Sequence, residues 1–130
     1  MARDKIPFAA LGYAADAEMG FELSTPTTMV VANDGYIDAA DVDDALWLKF
    51  TLTARTTGST ITIKAGNGPR SGLGDYVWTS LTDGAADVTI GPLETARFKW
   101  LSGTTDYKGR IHVDYSAAPL AGRVQGFKSR

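Results

Sequence analysis

A strict alternation of apolar and polar residues over residues 46–53 constrains this chain more than any other feature. The segment reads LWLKFTLT, so leucine or phenylalanine occupies every even position, and tryptophan, lysine or threonine occupies every odd one. Because successive side chains of a strand point to opposite faces, this period of two predicts a strand with one buried face. The alternation recurs at 60–64 (TITIK), 95–100 (TARFKW) and 110–115 (RIHVDY). The chain is therefore predicted to be all-β.

Turn-forming residues divide the chain into short predicted strands. Asn33, Asp34 and Gly35 form the first clear turn, because these residue types tolerate a positive φ. Gly91 and Pro92 form a second turn or kink. The predicted strands are 25–32, 45–54, 60–65, 75–81, 86–90, 93–101 and 110–116, with 120–127 as an eighth strand or a C-terminal arm.

Short strands with frequent turns and no long helix between them predict an antiparallel β-sandwich of jelly-roll type. Residues 25–130 form this domain and end in a short C-terminal tail, and residues 36–44 are interpreted as a polar connector. The core is predicted from the apolar positions of the strands and contains Leu46, Leu48, Phe50, Leu52, Ile61, Ile63, Val88, Ile90, Phe98, Ile111 and Val113.

The composition argues against several classes of function. The 15 acidic and 13 basic residues give a net charge of −2, so no nucleic-acid partner is expected. The chain has no cysteine, which removes disulfides and thiolate ligands. No run of about 18 apolar residues is present, so no membrane-spanning helix is expected. Pro7, Gly12 and Asp16 interrupt the N-terminal apolar run, so we expect no signal peptide and synthesis in a cytoplasm.

Residues 1–24 are interpreted as an extended N-terminal arm, with room for a short helical turn near residues 9–18. Apolar residues in an irregular segment must be covered, or they favour aggregation. The surface that covers the arm is either its own domain or a neighbouring subunit. We predict that the arm is mobile in isolation and contacts a neighbouring subunit or another partner protein. Deleting residues 1–20 is expected to leave the β-body folded. The partner-binding residues of the arm are predicted to be Ile6, Phe8, Leu11, Tyr13, Phe21 and Leu23.

No catalytic set or cofactor motif is recognised. His112 is the single histidine and is predicted to face solvent on its strand, with Asp114 on the same face. A triad needs a serine and a carboxylate beside it, and no G-x-S-x-G elbow is present. The glycine-rich loop 66–74 has no following Lys-Ser or Lys-Thr and opens no helix, so it is not a phosphate loop. The acidic connector lacks the glycine and glutamate of a calcium loop: Asp38, Asp41, Asp43 and Asp44.

The remaining candidates are contact residues. Trp47 lies opposite the apolar face of its strand and is predicted to pack in an interface with a partner or in the core. The alternative is a carbohydrate platform that uses Trp47 or Trp78. Arg70 lies at the tip of the glycine-rich loop and is predicted to dock on a partner. A small basic stripe on one sheet is predicted from alternate positions, namely Arg97, Lys99 and Arg110.

Four short motifs carry a resemblance to a known group of proteins. They are ANDG at 32–35, TITIKAGNGP at 60–69, GPLETARF at 91–98 and IHVDYS at 111–116. In these motifs the chain resembles small β-sandwich virion proteins of tailed bacteriophages and prophages, of the capsid decoration or minor head type. The resemblance implies the major capsid protein as partner, a homo-oligomer with a trimer favoured, and a place on the capsid surface after synthesis in the host cytoplasm. It implies no catalytic residues, cofactor or metal; a carbohydrate-binding module is the alternative.

Overall fold

The computed structural model describes residues 3–10, 27–39, 46–103, 107–116 and 120–128. Within these ranges the chain is mostly β-structure arranged in two sheets. The elements are, in order, β1 (Asp4–Lys5), β2 (Phe8–Ala10), β3 (Thr27–Thr28), β4 (Gly35–Asp38), β5 (Leu46–Ala54), β6 (Thr60–Ile63), a 3-10 turn (Ser71–Leu73), β7 (Tyr76–Thr79), β8 (Ala86–Leu93), α1 (Thr95–Phe98), β9 (Arg110–Tyr115) and β10 (Ala121–Lys128).

The two sheets differ in strand order but share a mainly antiparallel pairing. The first sheet has the order β1-β4-β9-β6-β7, and the second has the order β2-β10-β5-β8 with β3 paired to β10. Two pairs are parallel, β1 with β4 and β2 with β10, and both involve the N-terminal segment. The segment therefore contributes one strand to each sheet, and it does so at the same side of the molecule.

The buried side chains of both sheets belong to one hydrophobic cluster. Phe50 on β5 meets Tyr115 on β9 edge to face, with ring centroids 6.3 Å apart. The predicted core is confirmed except for Val88, which is partly buried against the cluster. The cluster also takes in side chains that the core prediction did not include: Ile6, Met29, Ile37, Ala39, Leu93, Leu120 and Val124.

The predicted sixth strand, 93–101, is wrong. Strand β8 runs on to Leu93, and Thr95–Phe98 then form one turn of α-helix. The N–H groups of Arg97 and Phe98 both donate to the Glu94 carbonyl, at 3.1 and 3.0 Å. The helical turn buries Phe98, so an apolar residue that fits an alternating pattern is buried without any strand.

The region before β5 also differs from the prediction. Residues 35–38, placed mostly in a polar connector, form β4 between β1 and β9, and Ile37 on it is fully buried. Of the predicted strand 25–32, the structure describes a strand only at Thr27–Thr28. The chain then turns, because the Asn33 N–H donates to the Val30 carbonyl at 2.9 Å. The eighth strand is confirmed as β10, an inner strand of the second sheet.

Candidate interaction surface at the open edge of the sheets

The side of the molecule opposite the N-terminal segment exposes the last strand of each sheet. Strand β7 ends the first sheet and β8 ends the second, and residues 80–85 join them directly. Between them lies a cleft of about 180 Å³. Its buried apolar lining includes Ile90, Leu93 and Phe98, and its polar lining includes Tyr76, Glu94 and Arg97. We call this side the open edge.

Strand β7 presents apolar side chains to solvent from both of its faces. Tyr76 on the inner face is 41% exposed and Val77 on the outer face is 51% exposed. Trp78, again on the inner face, packs partly buried against the core. Leu73 and Leu81 flank the strand, and Leu81 is 83% exposed. We call Leu73, Tyr76, Val77 and Leu81 the β7 patch.

The backbone of β7 has unused hydrogen-bonding capacity on its outer side. The Ser80 N–H donates to the Ser59 carbonyl at 2.8 Å, and Ser80 lies opposite Ser59 in the register of β7 with β6. This hydrogen bond determines which residues of β7 direct their backbone groups toward β6. In an antiparallel pair, residues alternate between pointing both backbone groups at the neighbour and pointing both away from it. The backbone N–H and C=O groups of Trp78 therefore point toward β6, while those of Val77 and Thr79 point outward, away from the sheet. Among the described strands, none lies on that side.

The glycine-rich loop beside β7 is held against α1 by its backbone. The Gly66 N–H donates to the Arg97 carbonyl at 2.9 Å, and the Arg70 N–H donates to the Ala96 carbonyl at 3.0 Å. A Cβ on Gly66 would overlap the Lys99 carbonyl, so only glycine allows this approach. Packing on the helical turn thus explains Gly66, and Gly68 likewise approaches the Ala96 carbonyl, whereas Gly72 has no neighbour within 4 Å of a Cβ.

Charged side chains of this loop and of α1 are paired within the domain. Arg70, the predicted partner contact, lies at the open edge with its Nε 2.7 Å from Oε2 of Glu94, and both side chains are largely exposed. Arg97 donates through Nε to the Gly74 carbonyl at 2.9 Å and through Nη2 to the Asp75 carbonyl at 3.1 Å. Arg97 thus ties the end of the loop to α1.

The predicted basic stripe is wrong. Arg97 lies on α1 and places its guanidinium 4.7 Å from the centre of the Phe98 ring. Lys99 is buried, and Arg110 on β9 lies over the Tyr36 ring at 3.9 Å. The stripe required a strand through 95–100, and the helical turn removes that shared face.

Asp75 anchors the start of β7. Its Oδ1 accepts the Ala65 N–H at 2.6 Å, and its Oδ2 lies 3.0 Å from Nζ of Lys64. The Ala65 hydrogen bond, helped by Lys64, lowers the pKa of the Asp75 carboxyl, and the same contact raises the pKa of Lys64. The one acid next to β7 is therefore already compensated inside the domain.

The arm prediction fails for the part of the arm that the structure describes. Ile6, predicted to bind a partner, is 1% exposed and belongs to the chain's own core. Arg3 donates to Oδ1 of Asp114 at 2.5 Å, and the backbone of Phe8 pairs with β10 in β2. These intramolecular contacts hold residues 3–10 on the domain. The other predicted arm residues lie outside the described ranges: Leu11, Tyr13, Phe21 and Leu23.

The turn at residues 33–34 is confirmed and helps to hold this N-terminal segment. Asp34 adopts a left-handed φ of 57°, and its Oδ1 accepts the Tyr115 N–H at 2.9 Å. Asn33 donates to the carboxylate of Asp4 at 3.3 Å. Gly35 is the first residue of β4 and not part of the turn, and a Cβ there would lie 2.9 Å from Cδ1 of Ile6.

Trp47 packs within the chain. Its ring stacks on Phe127 with centroids 6.2 Å apart and planes within 4°. A Cβ on Gly91 would lie 2.7 Å from the Trp47 ring, and Gly91 has a φ of +154°. Gly91 and Pro92 are inside β8, where the register with β5 shifts between Leu46 and Leu48. The two residues form a bulge, and strand β8 continues beyond them. The predicted turn is therefore wrong, whereas the predicted kink agrees with the bulge.

His112 is buried, so its predicted solvent exposure is wrong. It is 4% exposed, with its ring 4.7 Å from the Tyr107 ring and 6.2 Å from the Trp100 ring. The sequence placed His112 on the correct face of β9, but the rings of Trp100 and Tyr107 cover that face. The loop before β9 is closed by the Trp100 N–H bonded to the Arg110 carbonyl at 3.0 Å.

Within the described parts of the chain, no group of three or more metal-ligating side chains is present. No helix there is long and apolar enough to cross a membrane. Asp38 of the acidic connector is exposed on β4, and Asp41, Asp43 and Asp44 lie outside the described ranges. Comparison with known protein families, with curated proteins and with solved structures finds no match to this chain. Its function is therefore argued from its own surface.

Sequence analysis located strand 75–81 but missed the β7 patch. Tyr76 and Val77 alternate like the residues of a half-buried strand, and alternation does not reveal that β7 lies at an edge. One signal was present: residues 76–81 (YVWTSL) contain no lysine, proline or charge. Monomeric proteins commonly use those residues to protect exposed edges.

Proposed function

We propose that this chain is a structural virion protein of a tailed phage, a capsid decoration or minor head protein that stabilises the shell by binding across capsid subunits. The observation that carries the proposal is the β7 patch, in which Tyr76, Val77 and Leu81 leave apolar surface beside an unpaired strand. Contiguous apolar surface of this kind marks protein–protein contacts. The resemblance of the four sequence motifs to virion proteins supports the same class.

We further propose that the two sheets pack face to face as a β-sandwich of jelly-roll type. Three observations support this arrangement. Both sheets contribute to one core cluster, Phe50 and Tyr115 meet between them, and the edge strands of the two sheets are joined at each side by short segments. A rigid body of this kind suits a protein whose task is to hold other subunits in place.

The proposed mechanism is mass action on assembly. A protein that binds the assembled shell and not free capsid subunits stabilises the shell by about 2.7 kcal/mol per site at a hundredfold excess over its Kd. The partner in this proposal is the major capsid protein. Assembly as a homo-oligomer is part of the proposal. The trimer is implied by the sequence resemblance alone, and it is an alternative to a two-fold contact through the edge of β7 that no described strand covers. The proposal assigns no catalytic role, since aromatic rings cover His112 and packing explains Gly66.

The proposal is tested on phage particles assembled with and without the chain. The wild-type protein should co-sediment with purified heads, and heads that carry it should release DNA at a higher temperature. A Leu81→Asp variant should bind heads at least tenfold more weakly, because it places a charge in the β7 patch. Protein that stays in the supernatant at micromolar concentration would contradict the proposal.

A carbohydrate-binding module is the second candidate, favoured by one observation. Trp47 and Phe127 stack with parallel planes, and aromatic platforms of this kind can bind sugar rings. Trp78 gives this candidate less support because it packs against the core. Binding of the isolated protein to a glycan array, lost in a Trp47→Ala variant that still folds, would favour this candidate over the shell protein.

A further inference from the structure

Residues 73–81 form a chemical palindrome centred on Val77. They read LGDYVWTSL. Moving outward from Val77, an aromatic residue pairs with an aromatic residue, a polar residue with a polar residue, a small residue with a small residue, and leucine with leucine. An ordinary partner strand imposes no such symmetry on its neighbour. A second copy of the same strand does, because a two-fold axis places each residue opposite its mirror position.

The backbone phase of β7 independently fits an axis at Val77. In an antiparallel pair, two residues that lie opposite each other either exchange both backbone hydrogen bonds or make none. A two-fold axis through Val77 therefore adds a hydrogen-bonded strand only if Val77 points its N–H and C=O away from β6. The Ser80 hydrogen bond to Ser59 places Val77 in that phase. An axis at Trp78 would pair a residue whose backbone groups already serve β6.

The side chains that this axis brings together are complementary. Tyr76 of one copy lies opposite Trp78 of the other, and aromatic cross-strand pairs are favourable. Leu73, in the 3-10 turn before the strand, and Leu81, after it, are both exposed and flank the contact at its two ends. Asp75 lies opposite the neutral Thr79, and its charge is already compensated by Lys64 and the Ala65 N–H. No like charges meet along the contact.

The other described edges are unsuited to such a contact. Strand β8 carries Asp87, and Pro92 has no N–H to donate to a new strand. Strand β1 has only two residues, Asp4 and Lys5, and both are charged. At the edge of the second sheet, β2 has three residues and β3 has two, so both are short. Charged, short or proline-containing edges resist pairing with another chain. Protection is thus present on those edges and missing on β7.

We propose that β7 pairs with β7 of a second copy of this chain, antiparallel about a two-fold axis at Val77. The two five-stranded sheets then become one continuous sheet of ten strands across the dimer. The contact buries the β7 patch, and it closes on itself, so it produces dimers and not filaments. The inference concerns the same β7 patch from which the proposed function is argued, and a patch that is buried between two copies contacts the shell only as part of a dimer. The experiment uses purified protein without capsids, so failure to dimerise and failure to bind heads are separate outcomes.

Two lysine substitutions on the same face of β7 test the axis. In Val77→Lys, the two new charges lie directly opposite each other across the axis. In Thr79→Lys, the new charge lies opposite Asp75 of the other copy. We expect sedimentation equilibrium of the wild-type protein to show a dimer, with a Kd raised at least tenfold by Val77→Lys and changed less than threefold by Thr79→Lys. Circular dichroism should show both variants folded, because both residues are exposed.

A cross-link in this cysteine-free chain locates the axis directly. Facing residues of a hydrogen-bonded antiparallel pair have Cα atoms about 5.5 Å apart, which a disulfide can span. Oxidation of a Val77→Cys variant should therefore give a covalent dimer. A Thr79→Cys variant is the matched control and should stay uncrosslinked, because its two sulfurs would be several residues apart. A wild-type monomer, a trimer, equal effects of the two lysines, or cross-linking at position 79 instead of 77 would overturn the proposal.

Discussion

The two edges of the first sheet differ in whether the described chain covers their apolar residues. At one edge the chain's own N-terminal segment adds β1, buries Ile6 and fastens Arg3 to Asp114. At the other edge β7 ends the sheet with Val77 and Leu81 open to solvent and with outward backbone groups. Apolar residues are present at both edges, but only the first set is covered by the described chain.

This difference teaches that the apolar content of a segment does not identify the surface that binds a partner. Sequence analysis assigned the intermolecular contact to the N-terminal arm because Ile6 and its apolar neighbours lacked regular periodicity. Parallel pairing with β4 and β10 provides the cover for that segment within one chain. The surface left for a partner then lies on β7, which appeared from its sequence to be an ordinary strand.

The largest expected effect comes from removing the side chain that closes the covered edge. Ile6→Ala should lower the free energy of unfolding by about 2–5 kcal/mol, because it opens a cavity in the core. Leu81→Ala should lower it by less than about 0.5 kcal/mol, because that side chain is almost fully exposed. Urea unfolding checks both values at low concentration, where a contact through β7 is dissociated.

The same measurement addresses the earlier expectation that the arm is dispensable for folding. If residues 1–10 are integral to the domain, their deletion should destabilise it at least as much as Ile6→Ala does. Equal and small effects of Ile6→Ala and Leu81→Ala would show that the two edges do not differ as the structure indicates.

A smaller effect is expected from adding one methyl group at each edge. Gly35→Ala places a Cβ 2.9 Å from Cδ1 of Ile6 and 2.8 Å from the Tyr115 hydroxyl, so those side chains must move. The expected loss is about 1–3 kcal/mol. Gly72→Ala, beside β7, meets nothing within 4 Å and should be neutral within about 0.5 kcal/mol.

Thermal unfolding by circular dichroism compares these two alanine variants under identical conditions. Neither glycine has a positive φ, so the difference between the variants reports the space around the Cβ and not backbone strain. A Gly72→Ala variant as unstable as Gly35→Ala would mean that the loop beside β7 is as tightly packed as the covered edge.

The smallest effect is a pH dependence at the open edge. Because the pKa of Asp75 is lowered in the folded state, its contribution to stability is present above about pH 4, the usual value of an unfolded aspartate. The contribution is lost as the pH falls through the lower folded pKa. Asp75→Asn should therefore make the decline of stability between pH 5 and pH 2 shallower, as measured by urea midpoints.

A second variant distinguishes the two contacts that lower the pKa of Asp75, the Ala65 N–H and the Lys64 side chain. The Ala65 N–H is the larger cause of the lowered pKa and Lys64 the smaller. Lys64→Gln should therefore keep most of the wild-type slope, while Asp75→Asn reduces it. A slope that disappears equally in both variants would assign the effect to the ion pair.

The features that sequence analysis found are those with local causes. The alternation in β5 and β9 depends on each residue's own polarity, and the buried residues Leu48, Phe50 and Ile111 follow it. The turn at Asp34 depends on the residue's own tolerance of a positive φ. These inferences needed no knowledge of which strands are neighbours.

The features that sequence analysis missed depend on distant neighbours. Residues 95–98 alternate like a strand, but the backbone of Gly66 and Arg70 bonds to that segment as a helical turn. His112 alternates to the polar face of β9, but Trp100 and Tyr107 cover it. An edge position, as at β7, is a property of the whole strand order, so the alternation of the strand's own residues does not reveal it.

The position of β10 has a consequence for how the protein acquires its structure. This strand is the latest described one in the sequence, yet it lies between β2 and β5 and pairs with β5 over Ala121–Lys128. During synthesis on the ribosome, strand β5 therefore cannot pair with β10 until nearly all described residues have been translated. Contacts between such distant parts of a chain slow folding and leave strand edges vulnerable to aggregation meanwhile. The edge of β5 that β10 covers in the folded protein therefore stays open to non-native strand pairing for most of the synthesis of the described chain.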